Sequence, residues 1–245
     1  MGNGRRRPPL LDGGRSCPLD VGWRRGLTAE MRAKSIVTVG LGLLLSAAAL
    51  VQGEEQSTPP PALPIIALQP LGTVPQQDIA AVRAGIVAVY AVEVRVVPAV
   101  ALPKAAYYPP RERYRAELLL DFLEDERGFG FEALKVVGLT AADISTTKGE
   151  VKDYGILGLG TIEGPSCVIS TFRMGAHKAS AAKRSERLVK VVNHEIGHTF
   201  GLEHCPTAGC LMQDVKGTIT TVDAEKGGFC AQCQEMLGGR LFPKK

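Results

Sequence analysis

The stretch that decides both fold and chemistry runs from residue 194 to residue 205: His194-Glu195-Ile196-Gly197-His198-Thr199-Phe200-Gly201-Leu202-Glu203-His204-Cys205. His194 and His198 are four residues apart. On an α-helix that spacing puts both rings on one face, where they can hold a single zinc ion. Glu195 lies about 100° round the helix from His194, close enough to take a proton from a water at the metal. A third ligand is needed, because three protein ligands leave zinc's fourth position open. Gly201 can leave the helix at positive φ with little cost. His204 follows three residues later, where the chain can swing back to the metal. The competing reading is an ordinary amphipathic helix with surface histidines. Against it, three of the chain's four histidines fall within eleven residues at the spacing a metal requires.

Working outward, the helix carrying this stretch is expected over Ala179–Leu202. Before it, Tyr154–Ile162 (YGILGLGTI) and Cys167–Phe172 (CVISTF) read as strands joined by the turn-like Glu163-Gly164-Pro165-Ser166. Arg111–Glu126 has apolar residues at 114, 118, 119, 122 and 123, one helical face. Asp78–Tyr90 is Ala-rich with an acidic start and reads as helix. Ile65–Leu68, Val92–Val97 and Phe131–Leu139 are strand candidates. Helices and strands mixed in this order predict one α/β (α+β) domain, a mixed twisted sheet flanked by helices.

After His204 come Cys205, then Cys210, Met212, and finally Cys230 and Cys233 in a CxxC pair. The HExxHxxGxxH extension resembles the metzincin zinc peptidases. The whole string, HExxHxxGxxHC-x4-CxM-x17-CxxC over residues 194–233, resembles the archaemetzincin family at every fixed position. Upstream, ILGLGTIEGPSCVISTFRM is similar to the strand pair which that family sets before its active-site helix.

The resemblance implies a metzincin-like zinc metallopeptidase. His194, His198 and His204 would bind the catalytic zinc, and Glu195 would act as general base and then general acid. Met212 would form the apolar floor beneath the metal. Cys205, Cys210, Cys230 and Cys233 would hold a second, structural zinc, making two Zn2+ per chain. Independently, four cysteines ending in CxxC make the closed ligand set that zinc prefers. They could instead form two disulfides, Cys205–Cys210 and Cys230–Cys233, and Met212 could be a gap-filler in the core. The expected substrate is a peptide or protein, paired along an exposed edge strand at 155–162 or 167–172. Aminopeptidase and endopeptidase action are equally open. By proximity, Glu163 is a candidate acid for a free amine, and Tyr154, Arg173 and His177 are candidates for a further oxyanion donor. A zinc-dependent peptide binder without turnover and a zinc-stabilised interaction domain are the alternatives. Cys167 reads as a small core residue.

Composition frames the rest. The 245 residues are 45% hydrophobic and 22% charged, the balance of a chain that can bury a core. The net charge of +4 is local: residues 1–35 hold eight Lys/Arg against three Asp/Glu, and residues 36–53 hold no charge. What remains is nearly neutral and gives no basis for a nucleic-acid surface. Residues 36–51 (IVTVGLGLLLSAAALV) are apolar, follow Arg32 and Lys34, and precede small residues, which is the pattern of an export signal cleaved near Gly53. Sixteen residues are short for a membrane span, which takes about 20, so stable insertion of the mature chain is not expected; a membrane anchor at 36–51 is the alternative. Met31 is a candidate start, and Arg24-Arg25 loosely resembles a twin-arginine signal. Cys17 falls in this removed part. The domain organisation expected is an N-terminal extension and signal at 1–53, a Pro-rich linker at 54–64 and a peptidase domain at 65–245. Oligomeric state is not encoded in any pattern found.

Overall fold

A computed structural model of the chain describes residues 62–125, 129–214 and 218–238. The expected signal, and the linker up to residue 61, lie outside the described residues. All described residues fall in one of the two units into which the chain divides, residues 58–245.

Strand β1 (Ile65–Leu71) is followed by helix α1 (Gln76–Val87) and strand β2 (Glu93–Val96). Two short strands, β3 (Tyr107–Tyr108) and β4 (Arg113–Arg115), lead into helix α2 (Ala116–Asp125). Then come β5 (Lys135–Thr140), β6 (Ile144–Lys148), β7 (Val151–Ile156), β8 (Gly158–Gly160) and β9 (Ser166–Ser170). Helices α3 (Ala181–Thr199), α4 (Ile219–Ala224) and α5 (Ala231–Leu237) complete the chain.

The expected mixed α/β architecture is present, with the strands divided between two sheets. The five-stranded sheet has the order β2-β1-β5-β9-β8, parallel except for β8, which runs antiparallel at the edge. Both of its faces are covered, so its central strands are mostly apolar and alternate between two cores. Ile66, Leu68, Val137, Leu139, Cys167 and Ile169 pack in the core shared with α1 and α3. Ala67, Leu71, Val136 and Val168 point the other way, toward α2 and its Leu119 and Leu123. Cys167 is fully buried, as its strand position predicts.

The second sheet, β3-β4-β6-β7, is where the sequence reading and the structure part. The helix expected from Arg111 starts only at Ala116. Glu112 sits at φ 51°, and Tyr114 pairs with Ile144 as strand. Arg113 and Arg173 hold Asp143 between them, with Nε–Oδ distances of 2.7 Å from each, and Arg113 reaches Asp153 at 3.1 Å. Those ion pairs favour the extended backbone at 113–115 over another turn of helix. The single strand expected over 154–162 breaks at Leu157: β7 pairs with β6, whereas β8 pairs with β9 in the other sheet. The strand expected at 131–139 forms only from Lys135, and Phe129 and Phe131 stack on each other instead, 5.7 Å apart. Among the described residues, no helix is long and apolar enough to cross a membrane.

Candidate active site

Helix α3 carries the site. Ser180 caps its start, accepting a hydrogen bond from the Lys183 amide at 3.2 Å. Its second half is buried from Val191 to Thr199. It ends in a Schellman turn: the Leu202 amide donates to Gly197 O at 3.0 Å, the Gly201 amide donates to His198 O at 2.9 Å, and Gly201 takes φ 91°. Lys135 also closes this end, donating to Thr199 O at 2.7 Å. The turn reverses the chain as expected and returns His204 to the helix face.

His194, His198 and His204 converge, each with a ligand nitrogen within 4.8 Å of the others. The Nε2 atoms of His194 and His198 are 3.1 Å apart. Two nitrogens bound tetrahedrally at about 2.0–2.1 Å would be about 3.3–3.4 Å apart, so the donor set fits zinc. Nδ1 of His194 donates to Leu211 O and Nδ1 of His198 to Leu202 O, both at 2.7 Å. A carbonyl can only accept, so each ring carries its proton on Nδ1 and presents a bare Nε2. Burial holds His194 at about 4 and keeps it neutral, with the neighbouring His198 adding to the effect; burial lowers His198 as well. His204 is the exposed member of the three.

Glu195 is buried beside β8. Burial pushes its carboxyl up to about 8, opposed by the Gly160 amide, which donates to it. The approach of β8 depends on two glycines on one face of that strand. A side chain at 158 would meet Glu195 Cγ at 2.7 Å, and one at 160 would meet the Glu195 carbonyl at 2.5 Å. A third glycine, Gly197 within the histidine motif, lets Met212 in: a Cβ there would lie 2.5 Å from its Sδ. Met212 is fully buried and accepts from the Cys205 amide at 2.8 Å. It therefore sits against the helix backbone between the two histidines, as a floor residue would. The sequence reading did not single out these glycines; the GLG pattern inside a strand was the available signal.

The histidines and Glu195 open into a cleft of about 310 Å³ walled by β7, β8, α3 and the segment after Met212. Tyr154 lines it, with the Lys148 ammonium 5.0 Å from its ring centroid. Of the other sequence candidates, Arg173 is spent on Asp143, and neither His177 nor Glu163 lines the cleft. Glu163 packs instead toward Gly201, where an added Cβ would meet its Cγ at 3.2 Å. Glu225, which the sequence reading passed over, does line the cleft; burial pushes it up to about 8, with Lys190 acting the other way.

The four cysteines form a second cluster away from the cleft. Cys205 Sγ is 3.7 Å from Cys230 Sγ, and Cys210 Sγ is 3.8 Å from Cys233 Sγ. Sulfurs bound tetrahedrally to zinc at about 2.3 Å stand about 3.8 Å apart, whereas a disulfide holds them at about 2.0 Å. All four are free thiols here. The Cys210 sulfur accepts from the Cys230 amide at 3.3 Å, and the Cys233 amide above all, with the neighbouring cysteine side chains, draws the Cys230 thiol down to about 6.

A family model for peptidase family M54 matches residues 76–238. An archaemetzincin of Haloquadratum walsbyi is 32% identical over 180 residues, covering 71% of this chain and 99% of the relative. One from Methanopyrus kandleri is 36% identical over 140 residues, covering 57% of this chain and 74% of the relative. The crystal structure of archaemetzincin from Methanopyrus kandleri superimposes with a TM-score of 0.63 at 30% identity, covering 75% of this chain and 98% of that one. The structure of the Archaeoglobus fulgidus archaemetzincin, complexed with malonate, gives 0.59 at 28% identity over 70% of this chain and 99% of that one.

Proposed function

The chain belongs to peptidase family M54, the archaemetzincins, and is a zinc metallopeptidase acting on peptide or protein; from that premise we propose that it hydrolyses peptide bonds with Glu195 as general base. The observation that carries this reading is the convergence of three histidine nitrogens beside a buried carboxylate at the base of an open cleft. His194, His198 and His204 would hold the catalytic zinc. The metal supplies Lewis-acid chemistry, polarising an amide carbonyl and lowering the pKa of water.

The remaining steps belong to side chains of this protein. Glu195 takes the proton of the attacking water on a carboxylate oxygen and delivers it to the departing amine nitrogen. Burial, which raises its proton affinity, suits it to both halves of that transfer. Tyr154, which lines the cleft, would donate to the developing oxyanion. The substrate backbone adds to β8, the edge strand of the larger sheet, which brings the scissile bond past Glu195. Met212 supports the metal site from below. Cys205, Cys210, Cys230 and Cys233 would hold a second, structural zinc; their sulfur spacing favours this over disulfides. Cleavage at the amino terminus of peptides is the finer reading. Residues 1–53 act as an extension and export signal, 54–64 as a linker and 65–245 as the peptidase domain, with the mature chain released outside the cytoplasm.

Digestion of a mixed peptide library by the zinc-loaded full-length chain, with and without a chelator, tests this. Chelator-sensitive cleavage is expected, and the cut positions report exo- or endo-action. An uncut library would overturn the peptidase reading, and cleavage that survives complete zinc removal would overturn the metal's role.

A further inference from the structure

One acid in the cleft has no part in that chemistry. Glu225 lies just past α4 and lines the cleft together with His194, Glu195 and His198. It is 5% exposed, and its Oε1 has no hydrogen-bond partner among the described residues. The cation nearest in role, Lys190, is fully engaged. Its ammonium donates to Val222 O at 3.1 Å and to the backbone carbonyl of Glu225 at 2.6 Å, and it pairs with Glu186 Oε1 at 2.8 Å. An ammonium has three protons, and these three acceptors use them. A buried carboxylate oxygen with no donor is costly to keep. Such an orphan calls for an explanation, and on a residue that lines the cleft an incoming donor supplies one. Val191 on α3 and Val222 on α4 line the same cleft, apolar surface against which methylenes can lie while a charged head meets the acid. Asp214, the other acid in this half of the cleft, is exposed and already engaged.

We propose that Glu225 is the cleft's anchor for a positively charged nitrogen of the peptide substrate, an ammonium or guanidinium held on its free carboxylate oxygen. The inference rests on the peptidase reading of the same cleft and adds the substrate class. That nitrogen has two sources: the free amino terminus, or a Lys or Arg side chain next to the scissile bond.

The test uses the zinc-loaded full-length chain as wild type, Glu225→Gln and Glu225→Asp. Two peptide pairs separate the sources: free against acetylated amino terminus, and lysine against norleucine beside the cleaved bond. The readouts are the ratio of kcat/KM within each pair and, with Glu195→Gln added so that cleavage is slow against the titration, the ratio of Kd by calorimetry. One pair should favour its cationic member by at least about tenfold in the wild type. That ratio should fall toward one in Glu225→Gln and be partly kept in Glu225→Asp, and the pair that responds names the source. An equal ratio in wild type and Glu225→Gln, or no preference in either pair, would overturn the anchor. So would a ratio that changes only alongside a drop in melting temperature, since that marks a structural residue. Cleavage without charge preference would sink this inference and leave the peptidase standing. An uncut library with a Kd ratio that still follows Glu225 would do the reverse.

Discussion

His204 and Cys205 are neighbours in the chain and serve opposite kinds of cluster. The histidine is exposed, one of three rings at the base of a cleft of about 310 Å³. The cysteine next to it is 8% exposed, one of four sulfurs of which three are buried. Two of the histidines stand on the 19-residue helix α3, fixed by packing and by backbone carbonyls at Nδ1. The cysteines stand on loops and on the seven-residue helix α5, which have little core of their own. Three donors on a rigid support with an approach from solvent suit chemistry; four donors closing on one another suit a staple. One peptide bond joins the two, so the staple proposed for the sulfurs would also steady His204, the ring that has the least packing.

The sharpest way to break this contrast is Glu195→Gln. Turnover should fall by about 10²–10⁴-fold, the usual share of a positioned acid–base group. Zinc content and melting temperature should be unchanged, because the amide fills the same space beside Gly158 and Gly160. Parallel digests, metal analysis and thermal melts check it. Retained hydrolysis in a metal-loaded variant would take the reactivity of the open cluster away from this carboxylate.

Cys233→Ser tests the other half. A structural zinc contributes folding free energy outright, so the variant should lose one zinc per chain and melt lower by more than about 10 °C. It should also retain zinc less tightly at the histidines, through the Cys205–His204 link. His204→Ala should lower zinc at the histidines alone and leave the cysteine metal in place. Metal stoichiometry after dialysis and a melting curve decide both. A Cys233→Ser protein that melts with the wild type would show that the sulfurs staple nothing.

What the sequence disclosed, and what it hid, follows from how far each feature reaches. The histidine and cysteine clusters were legible because their spacing is set locally, by the period of one helix and by a CxxC turn. β1, β5 and β9 were legible because strands buried on both faces carry runs of apolar residues, Ile65–Leu68, Val136–Leu139 and Cys167–Ile169. The second sheet was not, since β4 and β6 are mostly polar and β4 is held by pairs from Arg113 to Asp143 and Asp153, 30 and 40 residues further along the chain. The break at Leu157 was hidden for a related reason: YGILGLGTI is equally apolar on both sides of it, and only the partner strand changes. Glu225 was hidden because having no partner is a property of the folded surroundings. Glu163 stood out in the sequence by proximity alone, and its side chain packs toward Gly201 instead of lining the cleft.

The smallest effect concerns the segment between the clusters. Between Met212 and Cys230 the chain forms α4, which presents Val222 to the cleft and leads to Glu225. Arg187 on α3 fastens it, reaching Asp223 through Nε at 2.8 Å and Nη2 at 2.7 Å. Hydrogen bonds from Arg187 above all, and then from Lys183, hold Asp223 down at about 2. A carboxyl lowered in the folded state stabilises the fold at every pH above its unfolded value, about 3.9, and loses that contribution as pH falls toward 2. Asp223 is 29% exposed, so the pair is partly screened and Asp223→Asn should melt only about 2–4 °C below wild type at neutral pH. Acid strips metal from both proteins alike, so the difference between them isolates the pair. It should stay constant from pH 7 to about 5, shrink through pH 4 and 3, and close near pH 2. Melting both proteins across that series measures it. A gap that persists at pH 2 would mean that the Asp223 charge does not hold α4 to α3, and that the connector is fixed by its apolar contacts alone.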